Sequence, residues 1–359
     1  MFSALLRTLL VLVTLAVLAV LAWPQFFGLQ NSWVVAQAVS LRGLAEVVAA
    51  ALLLVLGILA LLVRPFRGTT ALLMALLLVF GAVNTGVLLH RGLGGGTADA
   101  SGAAGSGADG AAASAAPADS ITVLSWNTLG DAPGAEKIAA LALAEDADVL
   151  TLPETTEETG VLIAEAMRDA GRPMWVHTVS FDLISKARST TLLISPELGD
   201  YTVTSSAGSG PPGNTNVLPT VVAAPMGGTG PTIIAVHAVA PIQWEMSNWR
   251  SDLDWLAGQC DAAGSVIMAG DFNATLDHFA GRATAAGAAL GGCHDAALSN
   301  GAAGVGTWPA DAPALLGTPI DHVLATADWQ VQSMRVIGTE DASGSDHRPL
   351  VATLTATSG

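Results

Sequence analysis

The chain is 359 residues long, and 51% of it is hydrophobic while only 12% is charged, which excludes a disordered protein. Its two cysteines exclude a disulfide-dense scaffold and a Cys-rich zinc module. From residue 120 to the end there are 9 Lys and Arg but 26 Asp and Glu. A domain this acidic lacks the basic surface that gives nucleic-acid binders much of their affinity, so we expect no tight binding of nucleic acid.

Residues 1–91 hold most of the apolar excess and form the predicted membrane region. Three apolar runs, at residues 5–23, 44–63 and 70–89, are each long enough for a helix that crosses a bilayer, which needs about 20 residues. The flanking arginines are Arg7, Arg64 and Arg67 on one side of the membrane and Arg42 and Arg91 on the other. Positive residues favour the cytoplasmic side, so this weak bias predicts a multi-pass cell-membrane protein whose C-terminal domain is extracytoplasmic.

Residues 92–119 are Gly, Ala or Ser at 22 of 28 positions. This composition predicts a flexible linker, because the segment has too few large apolar side chains to build a core. We therefore expect the soluble domain to begin at residue 120.

Residues 120–359 alternate between short runs typical of strands and longer runs typical of helices. The predicted strands cover residues 121–126, 149–152, 191–195, 220–223, 233–236, 265–268, 322–325 and 350–354, and the predicted helices cover residues 135–145, 157–170 and 243–262. In the last helix Trp244, Trp249, Leu253 and Leu256 recur near helical spacing, which predicts a stripe that faces the core. About 240 residues with this mixture predict one α/β domain.

Side chains capable of chemistry follow or precede several of these strands. They are Asn127 in Ser-Trp-Asn, Glu154 in Leu-Pro-Glu, His237 in Val-His-Ala-Val-Ala-Pro, Asp271 and Asn273 in Gly-Asp-Phe-Asn-Ala-Thr, Asp321 in Pro-Ile-Asp-His, and Asp346 and His347 in Ser-Asp-His-Arg-Pro. Oxygen donors of this kind suit Mg²⁺ or Mn²⁺, and Asp321 is the best candidate to fix the tautomer of His347. A hard cation, a carboxylate and an imidazole together suit the in-line attack of water on a phosphoester.

These six motifs, in this order, resemble the endonuclease/exonuclease/phosphatase superfamily, over roughly residues 121–355. The resemblance implies an α/β fold, a four-layered α/β sandwich like that of pancreatic deoxyribonuclease, with the site at one rim. It also implies a role for each residue: Asn127, Glu154 and Asp346 for the metal, Asp271 and Asn273 for the water, His347 held by Asp321 for the scissile phosphate, and His237 for the transition state or the leaving group. Which histidine acts as the acid stays open.

The sequence therefore predicts a membrane-anchored, metal-dependent phosphoesterase with an extracytoplasmic substrate, such as a lipid phosphoester of the envelope. The first alternative is an extracellular nuclease of the same fold, and the acidity of the domain disfavours it. The second is a catalytically inactive scaffold, which would need a lost metal or histidine position, and every position is filled. The choice between monoester and diester, the number of metals and the protein partners stay open.

Three further features leave two interpretations each. Residues 188–190 (Arg-Ser-Thr) are either phosphate contacts or part of an ordinary strand. Trp308, in Thr-Trp-Pro, lies either beside the substrate or in the core. Cys260 and Cys293 form a disulfide if the domain is extracytoplasmic, or are two buried thiols.

Overall fold

The computed structural model describes residues 2–93, 120–182, 184–205, 209–262 and 264–357, so most of the predicted linker lies outside the described residues. The helices are α1 (Phe2–Ala22), α2 (Val35–Ser40), α3 (Arg42–Leu62), α4 (Arg67–Arg91), α5 (Ala135–Ala144), α6 (Glu157–Asp169), α7 (Met246–Asp261), α8 (Leu276–Phe279) and α9 (Ala296–Ser299). The strands are β1 (Ser120–Ser125), β2 (Val149–Pro153), β3 (Trp175–Ser180), β4 (Ser189–Ile194), β5 (Tyr201–Val203), β6 (Val221–Pro225), β7 (Thr232–His237), β8 (Val266–Asp271), β9 (His294–Asp295), β10 (Asp321–Ala325), β11 (Trp329–Val336) and β12 (Leu350–Ala356).

The described strands form two six-stranded sheets, in the orders β11-β12-β1-β2-β4-β3 and β5-β6-β7-β8-β10-β9. Successive side chains of a strand point to opposite faces, so Val123 of β1 packs between the two sheets and Leu124 packs outward. The outward face of the first sheet is covered by α5 and α6, and that of the second by α7. This arrangement of helix, sheet, sheet and helix confirms the predicted four-layered α/β sandwich.

All eight predicted strands are confirmed, and they are the inner strands of the two sheets. The strands that the sequence did not predict, β3, β5, β9 and β11, are the four edges. The predicted helix 243–262 begins only at Met246, and the prediction for Trp244 is wrong. Trp249, Leu253 and Leu256 are fully buried, whereas Trp244 precedes the helix and is 76% exposed.

The N-terminal region contains three helices that are long and apolar enough to cross a membrane, α1, α3 and α4. They lie within three residues of the predicted runs. Ala49, Leu77 and Phe80 form their small shared core, and much of the remaining apolar surface is exposed. The buried Asn84 of α4 donates to Glu46 of α3 and accepts from Arg42, so these polar groups join helices to one another.

The soluble domain packs on the end of this bundle that carries Arg42 and Arg91. Both arginines contact the buried carboxylate of Asp277 in α8: Arg42 donates two hydrogen bonds, at 2.8 and 2.7 Å, and Arg91 donates one at 2.9 Å. Gln25 donates a fourth at 2.7 Å. Burial alone would raise the pKa of Asp277, but Arg91 and Arg42 hold it well below the usual range. We call this four-residue contact the docking cluster.

His278, next to Asp277, joins the soluble domain to α2. Its Nδ1 accepts the backbone N–H of Thr275 at 2.8 Å, so Nε2 carries the proton and donates to the carbonyl of Ala36 at 3.0 Å. A second proton on Nδ1 would face the Thr275 N–H. Burial lowers the pKa of His278 to about 4, in keeping with a neutral ring.

Backbone contacts complete this interface. The N–H groups of Ala303 and Gly304 donate to the carbonyls of Arg91 and Gly92 at 3.0 and 2.9 Å.

Elsewhere in the soluble domain, Cys260 at the end of α7 and Cys293 form a disulfide with a Cα–Cα distance of 5.4 Å. The choice left open by the sequence is therefore decided in favour of the disulfide.

Candidate active site

The register of the second sheet brings three of the predicted site residues side by side. His237, the last residue of β7, pairs with Asp271, the last residue of β8, and Asp271 pairs with Asp321, the first residue of β10. Residues directly opposite in adjacent strands place their side chains on the same face. The three side chains therefore meet at one rim of the sandwich.

His347, in the loop before β12, completes a compact buried group with two of these carboxylates. Its Nδ1 lies 2.9 Å from Oδ2 of Asp321, and its Nε2 lies 3.8 Å from Oδ2 of Asp271. The ligand atoms of these three residues lie within 4.8 Å of one another. Asp321 is thus in hydrogen-bond contact with the imidazole whose tautomer the sequence expects it to fix.

The first sheet contributes Asn127, just after β1, and Glu154, just after β2. The Nδ2 of Asn127 lies 3.2 Å from Oε1 of Glu154 and 3.1 Å from Oδ2 of Asp271, so it bridges the two sheets. The Nε2 of His237 lies 3.9 Å from the same Glu154 oxygen. Residues that are far apart in the chain are therefore gathered in one cleft.

Two of the site residues adopt left-handed backbone conformations. Glu154 has φ of 57° and Asn273 has φ of 47°, which is uncommon for residues other than glycine and costs about 1–3 kcal/mol. Asn273 is held there because its N–H donates to Oδ1 of Asp271 at 2.8 Å and its Nδ2 donates to the carbonyl of Ala238 at 3.0 Å. Strain of this kind concentrates at functional sites.

Gly270 lets β7 and β8 approach each other beside this site. Its φ is 146°, and a Cβ there would lie 2.0 Å from the carbonyl oxygen of Val236. Only glycine fits such a position. The sequence contained this residue in the Gly-Asp-Phe-Asn motif, but its structural role was not predicted.

Burial and the neighbouring charges decide which groups carry protons. Burial and the Asp321 carboxylate raise the pKa of Asp271. Burial would lower the pKa of His347, but Asp321 and Asp271 outweigh it and raise that pKa, which favours the imidazolium form. Burial and the nearby His347 lower the pKa of His237 to about 3, so this ring is neutral. The site therefore combines one cationic and one neutral imidazole.

Asp346 lies at the margin of this group. It helps to raise the pKa of Glu154, after the larger effect of burial, and its Oδ2 accepts from the indole of Trp308 at 2.9 Å. Trp308 is partly exposed, so it belongs to the rim of the cleft rather than to the core. Among the described residues, Oδ1 of Asp346 and Oδ1 of Asp321 are buried without a hydrogen-bond partner.

These oxygens fit a hard divalent cation. Carboxylate oxygens of Glu154, Asp271 and Asp321 converge here, with the Asn127 amide between Glu154 and Asp271, and buried carboxylate oxygens without a partner favour a positive ligand. The tightest buried group consists of Asp271, Asp321 and His347, three residues to which the sequence assigned catalytic roles. The predicted ligands Asn127 and Glu154 adjoin that group.

Sequence reasoning missed several residues that hold the site loops together. The indole of Trp126 donates to the carbonyl of His347 at 2.9 Å, and Ser345 donates to the carbonyl of Asn127 at 2.6 Å. The buried Arg348 donates twice to Asp341 and also to nearby carbonyls. Trp126, Ser345 and Arg348 all stand inside the quoted motifs, and that position was the available signal.

The three residues of the segment 188–190 lie in different environments. Arg188 donates to the carbonyls of Val217 and Asn216 and lies near Asp182. Ser189 and Thr190 are buried in β4, opposite β2 and β3. These contacts support the interpretation as a strand with a basic edge.

Residues 124–347 match the family model described as "Endonuclease/Exonuclease/phosphatase family". No curated protein matches the sequence. Similar solved structures include an endonuclease/exonuclease/phosphatase from Beutenbergia cavernae, at 19% identity over 66% of this chain and 72% of that one, with a TM-score of 0.49. A mannosyl-6-phosphatase from Bacteroides thetaiotaomicron is similar at 16% identity over 66% and 99% of the chains, with a TM-score of 0.47. D. rerio TDP2 complexed with single-strand DNA product is similar at 15% identity over 66% and 99%, with a TM-score of 0.47.

Proposed function

The chain belongs to the endonuclease/exonuclease/phosphatase family, and from this premise we propose that it is a membrane-anchored, divalent-metal-dependent phosphoesterase. The reaction is hydrolysis of a phosphodiester or phosphomonoester by in-line attack of an activated water. The observation that carries this proposal is the convergence of Asp271, Asp321 and His347 within 4.8 Å, with Asn127 and Glu154 adjoining them.

The position and charge of each side chain suggest its role in the reaction. Asp271, held beside Asn273, accepts a hydrogen bond from the attacking water and orients it, and the raised pKa of this carboxylate suits it to take up a proton. His347, fixed by Asp321, donates from Nε2 to a phosphoryl oxygen. We assign His237 to the transition state or the leaving group, because its Nε2 lies 3.9 Å from Glu154 and its strand ends beside Asp271.

Glu154 and Asn127, with Asp346 at the margin, are the residues that would hold Mg²⁺ or Mn²⁺. When bound, the cation neutralises charge on the phosphoryl oxygens as it develops in the transition state. The carboxylate oxygens that lack partners among the described residues support a cation at this rim.

We further propose that the soluble domain is extracytoplasmic. It packs on the end of the bundle that carries Arg42 and Arg91, and the positive-inside bias assigns this end to the outside. The disulfide between Cys260 and Cys293 supports the same side, because disulfides persist in oxidising compartments. Protease treatment of intact cells tests this orientation: protection of the domain while a known surface marker is cut would contradict it.

The test of the activity is hydrolysis by the full-length protein of a panel of phosphodiesters, phosphomonoesters, phospholipids and DNA, with Mg²⁺ or with EDTA. We expect hydrolysis that EDTA abolishes and that Glu154→Ala and His347→Ala each reduce strongly. Hydrolysis that survives EDTA or both substitutions would refute the mechanism. Preference for DNA over every small ester would favour the nuclease alternative.

A further inference from the structure

A groove of about 480 Å³ leads from the catalytic rim to the membrane region. Asn273 and His347 line one end of it, and Ser40 and Leu41 line the other, where α3 begins. Since α3 is one of the helices long enough to cross a membrane, the groove connects the end of a predicted span with the site of hydrolysis.

The walls of this groove are mainly apolar. Ala36 and Leu41 form one wall, and Pro241, Ile242 and Ile320 belong to the other. Apolar surface of this extent, next to a few convergent polar groups, is typical of a binding site for a largely apolar ligand.

Three of the polar side chains in the walls are already satisfied within the protein. Gln37 donates to the carbonyl of Pro241, Ser40 donates to the carbonyl of Gln37, and both ring nitrogens of His278 have partners. A ligand therefore gains little from offering hydrogen bonds to them. An alkyl or isoprenoid chain, which needs none, suits the groove better than a sugar or a nucleobase.

The charges of the residues that line the groove also favour an uncharged chain over a polyanion. Among the described residues that line the groove there is no Lys or Arg. A polyanion such as DNA would need several cationic contacts along its backbone. A ligand with a single phosphoester at the catalytic rim and an uncharged chain needs none.

We infer that this groove binds the apolar chain of an amphiphilic phosphoester, with α2 of the membrane region forming one wall of the substrate site. This inference rests on the proposed function, because it places the phosphoester of that substrate at His347 and Asn273. The membrane region then selects the substrate in addition to anchoring the enzyme. The chain enters from the bilayer beside the start of α3.

The experiment compares two diesters with the same leaving group, p-nitrophenyl hexadecyl phosphate and p-nitrophenyl ethyl phosphate, on the full-length protein in lipid nanodiscs. The measured quantity is the ratio of kcat/KM for the long ester to that for the short ester. Ser40→Trp fills the groove from the α2 side, and Ile242→Asp places a charge in its other wall. Met226→Asp is the matched control, because Met226 is 69% exposed and follows β6 at the end away from the site.

We expect the wild-type ratio to fall at least tenfold in Ser40→Trp and in Ile242→Asp, and to stay unchanged in Met226→Asp. A substitution that only disturbed the fold would lower both kcat/KM values together and leave the ratio unchanged. An unchanged ratio in both groove variants would overturn the inference. So would a wild-type ratio near one.

If neither ester is hydrolysed, the diesterase form of the proposed function fails, and the groove is then tested by binding alone. A hexadecyl phosphonate that carries a diazirine on its chain is photo-crosslinked to the wild-type protein. Labelling of residues 36–41 and 240–242 that decreases in Ser40→Trp supports the groove as a chain-binding site. Labelling elsewhere, or labelling that a DNA oligomer abolishes, refutes it.

Discussion

The docking cluster allows a sharp prediction for Asp277→Asn, which keeps the size of the side chain and removes its charge. The Asp277 side chain is 1% exposed and accepts from Arg42, Arg91 and Gln25. Removing the anion leaves two guanidinium groups buried without their counter-ion. Breaking a buried ion pair in this way costs about 3–5 kcal/mol. We expect this loss to destabilise the docked arrangement of the two regions, because both arginines belong to the membrane region and Asp277 belongs to the soluble domain.

The amides of Ala303 and Gly304 report docking directly, since they donate to the carbonyls of Arg91 and Gly92 at the end of α4. Each 1.4 kcal/mol is about a tenfold change in an equilibrium constant, so a loss of about 3–5 kcal/mol is expected to accelerate their hydrogen exchange by roughly 10²- to 4 × 10³-fold. The measurement is hydrogen exchange with mass spectrometry on the full-length protein in nanodiscs. Peptides from β12 monitor the core, and their exchange stays slow if only docking is lost.

Asp254→Asn is the matched control for this experiment. Asp254 lies in α7, and it pairs with Arg282 at 2.7 Å, but its side chain is 66% exposed. An exposed ion pair contributes about 0–1 kcal/mol, so little change in exchange is expected. If Asp277→Asn accelerates exchange at Ala303 and Gly304 no more than Asp254→Asn does, the docking cluster does not hold the two regions together.

Three other predictions concern single residues. His347→Gln is expected to lower metal-dependent hydrolysis by at least about 10²-fold, whereas His294→Gln leaves hydrolysis unchanged. Gly270→Ala is expected to destabilise the protein by about 2 kcal/mol or more, because the added Cβ would meet a strand carbonyl. Gly258→Ala is the control: it lies in α7, a Cβ added there meets no described atom within 4 Å, and the substitution is expected to be neutral or stabilising. Thermal unfolding measures both variants. The pKa of His278 is about 4 in the folded protein and near 6.5 in the unfolded chain. The unfolded state therefore binds the proton first, and the free energy of unfolding falls as the pH is lowered from about 6.5 to about 4. The Tm of the wild type should therefore approach that of His278→Asn as the pH is lowered from about 7 to about 5, and a constant Tm difference would contradict this.

The sequence predicted the inner strands and missed the edges for a physical reason. An inner strand such as β8 is buried on both faces, so it forms a continuous apolar run with turn residues at its ends. The edge strand β11 has only two buried residues of eight and alternates irregularly, and β9 has only two residues. Neither contains a run that distinguishes it from a loop. The edges follow from pairing with a neighbour, which the local sequence does not encode.

The site was predictable because it depends on the inner strands. Asn127, Glu154 and Asp271 all follow strands that the sequence identified, and the ends of such strands meet at one rim. The geometry that sets their charges was not predictable, because it depends on register. The pairing of Asp271 with both His237 and Asp321 is a property of three strands together.

The contact between the two regions was hidden for a related reason: nothing in the local sequence distinguishes Asp277, which follows the Gly-Asp-Phe-Asn motif, from the other carboxylates of the domain. Its role follows from a balance of buried charges. Arg42 and Arg91 bring two positive charges to the end of the bundle, and the carboxylate of Asp277 contacts both. A buried cluster tolerates charges when they are paired and hydrogen-bonded, and Asp277 pairs with these arginines only when the soluble domain is docked. Docking therefore pairs the buried arginines of the N-terminal helices with a carboxylate, and it also places α2 against the groove.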